Sequence, residues 1–253
     1  MSLHFCPLRC LVCICLLLGF AWSQDQQNSR FPYPEKLSYR VEWRLIMAGT
    51  ASVEMSHTTP DDWETKLNLE SSGLVARWYK VLDSYQVTTD DKFCAAASFL
   101  DAQEGKRHTQ TRLTFKNAQH EVQYRQQDLI KNSTVTKQLE VAPCTHDIAG
   151  GLEALRESDL QPGKWATFPM TDGKKMAFVK GEGLAREPLA IAGKTYQTIR
   201  YEAFVFDNVL YKRKGRLLIW ISDDPDRVPV QLRLQLGFPT GNITVQLEKD
   251  QKT

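Results

Sequence analysis

Histidine is scarce in this sequence, and its spacing leaves little room for catalytic or metal chemistry. The chain holds five histidines, and no His-Glu-x-x-His or paired Cys-x-x-Cys set occurs. A zinc site therefore lacks support, and no metal or other cofactor is expected. No Gly-x-Ser-x-Gly elbow and no glycine-rich phosphate fingerprint is present, so nucleophilic-elbow hydrolases and nucleotide-binding folds lose their usual signals. Charge is nearly balanced, with 32 basic against 30 acidic residues and a net +2, which gives no electrostatic footprint for nucleic acid. The local cluster Lys212-Arg213-Lys214 reads as a solvated turn. Beyond the first residues no apolar run reaches the roughly 20 residues a membrane span needs. Low-complexity tracts and internal repeats are missing as well.

The N-terminus is the one strongly apolar segment. Arg9 is its only charged residue before Asp25, Leu11 to Phe20 form a short greasy run, and Ala21-Trp22-Ser23 offers small residues at an exit. Charge, apolar run and small-x-small exit predict a cleavable signal peptide over residues 1–23, with an N-terminal lead over 24–36. The expected location is periplasmic or extracellular, free or peripheral to an outer membrane. Four of the six cysteines (Cys6, Cys10, Cys13, Cys15) fall in that leader, so Cys94 and Cys144 form the remaining pair. An oxidising compartment makes a disulfide between them the natural expectation, with two buried thiols as the alternative.

Period-two alternation dominates the rest. Leu37, Tyr39, Val41, Trp43, Leu45 and Met47 alternate with Ser38, Arg40, Glu42 and Arg44, the pattern of a half-buried strand. A turn is expected at Ala48-Gly49-Thr50, with alternation resuming at Ala51, Val53 and Met55. Further strands are predicted at 63–69, 109–115, beyond the Lys116-Asn117-Ala118 turn, and at 174–182, 195–206, 215–222, 228–236 and 242–248. One helix interrupts them over 146–158, with Ile148, Leu152 and Leu155 on one stripe and Pro162-Gly163 beyond its end. Its Gly150-Gly151 pair is poor for helix stability and predicts close packing on a sheet. A shorter helical turn is expected near 72–79. The fold class is therefore mainly β: curved antiparallel sheets, as a roll, half-barrel or sandwich, with one helix packed on them. Residues 37–250 are expected to form one domain, with strand groups 37–143 and 164–250 on either side of the helix. Two curved sheets, or one long sheet rolled around the helix, would both use these parts.

Several blocks resemble an exported bacterial family, domain of unknown function 3108. They are Glu35-Lys36-Leu37-Ser38-Tyr39-Arg40-Val41-Glu42-Trp43, Met47-Ala48-Gly49-Thr50-Ala51, Ser71-Ser72-Gly73 and Tyr79-Lys80-Val81-Leu82-Asp83. Leu160-Gln161-Pro162-Gly163 and Ile219-Trp220-Ile221-Ser222-Asp223-Asp224 continue the series, on to Arg227-Val228-Pro229-Val230. The resemblance implies signal-bearing envelope proteins with a mainly β fold and no established reaction.

Residues with chemistry to offer are few. His146 beside Asp147 is the most suggestive polar pair, although a helix start explains both. Asp223 and Asp224 flank Pro225 with Asp226, which suits a calcium or glycan contact and, more simply, a β-turn. Trp43, Trp63, Trp78, Tyr79 and Trp220 are the candidates for a ligand groove, with core packing as their ordinary assignment. Asn132-Ser133-Thr134 and Asn242-Ile243-Thr244 match the glycosylation sequon and matter only in a eukaryotic secretory route. The function expected is a non-catalytic binding or assembly module of the envelope. Its partner would be an envelope lipid, glycan or protein. The alternatives are a hydrolase acting on glycan or peptide and a carrier of lipid or lipoprotein.

Overall fold

The computed structural model describes residues 34–59 and 61–252. The expected signal peptide and most of the N-terminal lead lie outside the described residues. The first half is a meander of β1 (Glu35–Trp43), β2 (Ile46–Thr59), β3 (Asp62–Ser71), β4 (Val81–Asp90), β5 (Ala95–Glu104), β6 (Arg107–Lys116), β7 (Glu121–Asp128) and β8 (Ser133–Glu140). The second half is a meander of β9 (Trp165–Thr171), β10 (Met176–Ile191), β11 (Lys194–Ala203), β12 (Gly215–Ser222), β13 (Pro229–Leu236) and β14 (Asn242–Lys252). Between the halves lies helix α2 (Ile148–Ser158), and a short helix α1 (Gly73–Trp78) sits between β3 and β4.

The fold is mainly β and every pair of its strands is antiparallel, as the alternation predicts. Of the two arrangements left open, the structure adopts one sheet. β1 pairs with β14, so the meanders join into a single 14-stranded sheet with β8 and β9 at its ends. Alternation then carries straight across the strands. Val53, Leu67, Tyr85, Leu100 and Thr111 are successive register partners and so share one face. Ser52, Asn68, Ser84, Asp101 and Gln110 form the neighbouring row on the other face.

The first turn differs from expectation. β2 runs unbroken through Ala48-Gly49-Thr50, and the reversal lies at Arg44 and Leu45, both at positive φ (50° and 68°). Two left-handed residues make a tight hairpin whose twist suits the flanking strands. Gly49 serves close packing instead: a Cβ there would overlap the Glu70 carbonyl oxygen. β1 also starts at Glu35, inside the segment read as lead, and that residue is buried. β4, β5, β8 and β9 have no counterpart among the predicted strands, since their apolar residues are diluted by alanine, serine and threonine.

Helix α2 packs in two directions. Leu155 joins Ile199, Tyr201, Ile219 and Ile221 of β11 and β12. Ala149 packs against the cluster of Val87, Ala95, Leu113, Phe115, Val122 and Tyr124 from β4 to β7. The helix thus sits on the concave face between the two meanders. Fully burying Leu155 contributes roughly 1.5–3 kcal/mol. The glycine pair makes the close approach possible. A Cβ on Gly150 would lie 2.6 Å from the Phe93 carbonyl oxygen, and one on Gly151 would overlap the Met170 side chain.

Candidate functional site

Each end of α2 is fixed by a polar anchor. At its start Asp147 accepts the backbone N–H groups of Ala149 (3.0 Å) and Gly150 (2.9 Å), satisfying donors that a helix leaves open. The same carboxylate accepts the Tyr85 hydroxyl at 2.5 Å. Burial, followed by the Asp147 charge, holds the Tyr85 phenol well above its ordinary pKa. His146 is buried and its Nδ1 donates to the Phe93 carbonyl at 2.7 Å. Cys94 and Cys144 form a disulfide with Cα atoms 4.6 Å apart, tying the segment before α2 to the β4–β5 turn.

At the far end, Arg156 is 1% exposed and makes a two-pronged ion pair with Glu35 (2.8 and 3.0 Å). It also donates to Glu153 at 2.8 Å. Arg227, equally buried, donates to Asp159 (2.6 Å) and to the Tyr201 hydroxyl (2.9 Å). Burial, helped by the Glu35 charge, pushes the Glu153 carboxyl up to about 7 against the pull of Arg156.

Between these anchors the helix leaves space. A cavity of about 400 Å³ opens between α2 and the concave face, lined chiefly by Val53, Leu67, Leu100, Leu113, Leu152 and Leu232. Polar groups enter at few points, among them Tyr85, Glu153 and Asp172. A smaller, apolar space of about 120 Å³ lies on the other flank of α2, against Phe168, Met170, Val179 and Leu217. Tyr211 lines both, and burial lifts its phenol to about 12. A third hollow of about 370 Å³ lies toward the edge of the same face, covered by Val75 of α1 and by Tyr79 just beyond it. Leu69 lines this hollow and Leu67, next along the same face of β3, lines the central cavity.

The five aromatic candidates do not share one groove. Trp43 and Tyr79 line the edge hollow, and Trp43 Nε1 donates to the Thr240 carbonyl at 2.6 Å. Trp78 lies beside it, exposed at the end of α1. Trp63 is buried with Met55 and Phe93, and the His57 ring lies tilted against it with centroids 3.3 Å apart. Trp220 is buried as well, its Nε1 donating to Glu187 at 2.7 Å with Arg233 over the ring. The polar candidates are also separate. Asp224 accepts from Ser222, Asp226 and Arg227 within its own turn, while Asp223 pairs with Arg186 at 2.7 Å. Asp147 caps α2 and His146 holds a main-chain carbonyl, so each has a structural duty. Among the described residues no group of three His, Cys, Asp or Glu side chains is placed to hold a metal.

Sequence reasoning missed Tyr85, Tyr211, Glu35, Glu153, Arg156 and Arg227. One signal was available: Glu153 and Arg156 stand three apart on a helix whose glycine pair implies contact on several sides. The cavity had no signal of its own, because its walls come from strands that pair across the whole first half.

A family model described as "Protein of unknown function (DUF3108)" matches residues 38–248. No curated protein matches the sequence. Among solved structures, the chain is similar to a beta-barrel-like protein of domain of unknown function DUF1849 from Brucella abortus. That likeness has a TM-score of 0.56 at 10% identity and covers 88% of this chain and 99% of that one. A DUF1089 family protein from Pseudomonas aeruginosa aligns with a TM-score of 0.28 at 9% identity, over 79% of this chain and 90% of its own. The first is a likeness of fold; the second carries no argument. No helix among the described residues is long and apolar enough to cross a membrane.

Proposed function

The chain belongs to the DUF3108 family of proteins of unknown function, and from that premise we propose that it is an exported envelope protein that binds an apolar-chain ligand on its concave face, without catalysing a reaction. The observation that carries this reading is the cavity of about 400 Å³ beside α2, with mainly apolar walls and a few polar groups among them. Small-molecule sites combine such walls with a small number of orienting polar groups, in volumes of roughly 300–1,000 Å³. An amphiphile would place its chain along Leu67, Leu100 and Leu152 and its polar end toward Asp172. The leader motif in the sequence and the disulfide favour an oxidising compartment outside the cytoplasm.

The test is titration with a fluorescent long-chain fatty acid, alongside native mass spectrometry of protein purified from its own envelope fraction. Saturable binding is expected, as is a retained small-molecule mass. Leu100→Trp, which fills the cavity, should weaken binding at least tenfold while the circular dichroism stays unchanged. Wild-type protein that carries no ligand and takes up none of the probe would end this reading, as would a Leu100→Trp variant that binds equally well.

A further inference from the structure

Antiparallel order sends alternate connections to opposite edges of the sheet. One edge receives the β1–β2 turn, the segment from α1 to β4, the β5–β6 turn and the β13–β14 loop side by side, with the β7–β8, β9–β10 and β11–β12 connections flanking them. These connections touch one another. Arg44 donates its main-chain N–H to Asn242 and its guanidinium to Thr240 and Pro239. Ser72 N–H bonds the Ala48 carbonyl at 2.8 Å, and Gly105 N–H bonds the Lys80 carbonyl at 2.7 Å.

The edge they build is apolar where it is most exposed. Leu45 is 90% exposed, Trp78 81% and Phe238 95%, with Ile46 and Leu74 also in the open. Single exposed apolar residues need no explanation, but large ones gathered on neighbouring turns do. Charge on these turns is of one sign. Residues 44–45, 72–80, 105–106 and 237–241 contain Arg44, Arg77, Lys80 and Lys106 and no aspartate or glutamate. The turns at the opposite edge carry Asp61, Asp91, Asp223, Asp224 and Asp226 against Lys92 and the buried Arg227. The other connections at the first edge add Lys131, Lys174, Lys175, Lys212, Arg213 and Lys214 against Asp172 and Asp207, so a nearly neutral protein is polarised along its strands, with its most exposed apolar tips at the basic edge.

We propose that this basic, apolar edge docks on an anionic phospholipid surface. Apolar and aromatic tips enter the interfacial layer, while arginine and lysine stay at the level of the phosphates. Clustered cations add attraction to anionic headgroups that neutral lipid does not supply. The acidic opposite edge turns away from the bilayer, which fixes the orientation. The edge hollow, between Trp43 and Tyr79, then faces the lipid. The proposal stands apart from ligand binding in the central cavity, because none of the docking side chains lines that cavity.

The experiment is co-sedimentation with phosphatidylglycerol-containing and with pure phosphatidylcholine vesicles, using protein from expression of the full chain as its host processes it. Binding to the anionic vesicles alone, weakening as salt rises, is expected. Arg77→Glu combined with Lys80→Glu should lower partitioning at least about 30-fold. Trp78→Ser combined with Phe238→Ser should lower it about tenfold or more. All four side chains are exposed, so these variants should melt with wild type, and Leu100→Trp should bind vesicles normally. Equal sedimentation with both lipids, no sedimentation, or variants that bind like wild type would overturn the proposal. So would a photo-crosslinker at position 78 that captures a protein and never lipid.

Discussion

Arg156 and Arg227 hold each other by their backbones: Nε of Arg156 donates to the Arg227 carbonyl at 2.9 Å, and Nε of Arg227 donates to the Arg156 carbonyl. Two buried cations lie together because each has its own carboxylate, Glu35 for Arg156 and Asp159 for Arg227. The pair fastens α2 to the start of β13, and Glu35 adds β1.

Removing one member of such a network strands the rest. Arg156→Met should leave Glu35 and Glu153 buried without their cation and lower stability by about 3–5 kcal/mol. Urea unfolding followed by tryptophan fluorescence measures it. A loss below about 1 kcal/mol would mean that the network contributes position and little energy.

The Glu153 carboxyl gives stability a particular slope with pH. Burial raises its folded-state pKa from 4.5 to about 7, so the native protein keeps a proton that the unfolded chain releases. Its stabilising share is complete below about 4.5 and is lost as pH rises through about 7. Glu153→Gln should flatten this slope and stabilise the protein above neutrality by at most about 3 kcal/mol, raising its melting temperature there. Asp83, raised by burial from 3.8 to about 6, acts in the same direction at lower pH and should survive as a residual slope. Melting curves across this range decide the matter, and identical profiles for wild type and variant would remove Glu153 from the account.

Reduction should weaken the protein markedly. The disulfide spans 50 residues of sequence, and closing a loop of that length stabilises by about 4 kcal/mol through the unfolded chain. A double Cys94→Ala, Cys144→Ala variant should melt well below wild type. Dithiothreitol should bring wild type down to the same temperature and leave the variant unchanged.

Two glycines should respond in opposite ways. Gly49→Ala drives a methyl group into the Glu70 carbonyl and should cost about 2 kcal/mol or more. Gly237→Ala meets nothing within 4 Å and should stay within about 0.5 kcal/mol of wild type. Calorimetry of both variants is the check, and equal losses would show that the packing at Gly49 is looser than described.

Much of the architecture is written in local order. Alternation through Leu37, Tyr39 and Val41, or through Val230, Leu232 and Leu234, needs only a sheet with two unlike faces to be read correctly. The stripe of Ile148, Leu152 and Leu155 marks a helix for the same reason, and the glycine pair within it announces close contact. Cys94 and Cys144 are the two cysteines beyond the apolar N-terminal segment of the sequence, and the structure joins them.

Tertiary structure decided what local order cannot carry. Whether the alternating strands made one sheet or two depended on β1 meeting β14, two strands from opposite ends of the chain. Glu35 meets Arg156 across 121 residues, and no periodicity encodes a partner at that distance. As residues the five aromatic candidates look alike, and most lie in phase with apolar strands. Their neighbours separate them, burying Trp63 and Trp220 while leaving Trp78 at an exposed edge. The turn at Arg44 and Leu45 was hidden because two non-glycine residues took positive φ, a choice that the pairing of β1 with β2 imposes. Cavity and edge arise in the same way, since a surface belongs to residues that are neighbours only after the sheet has closed on its helix.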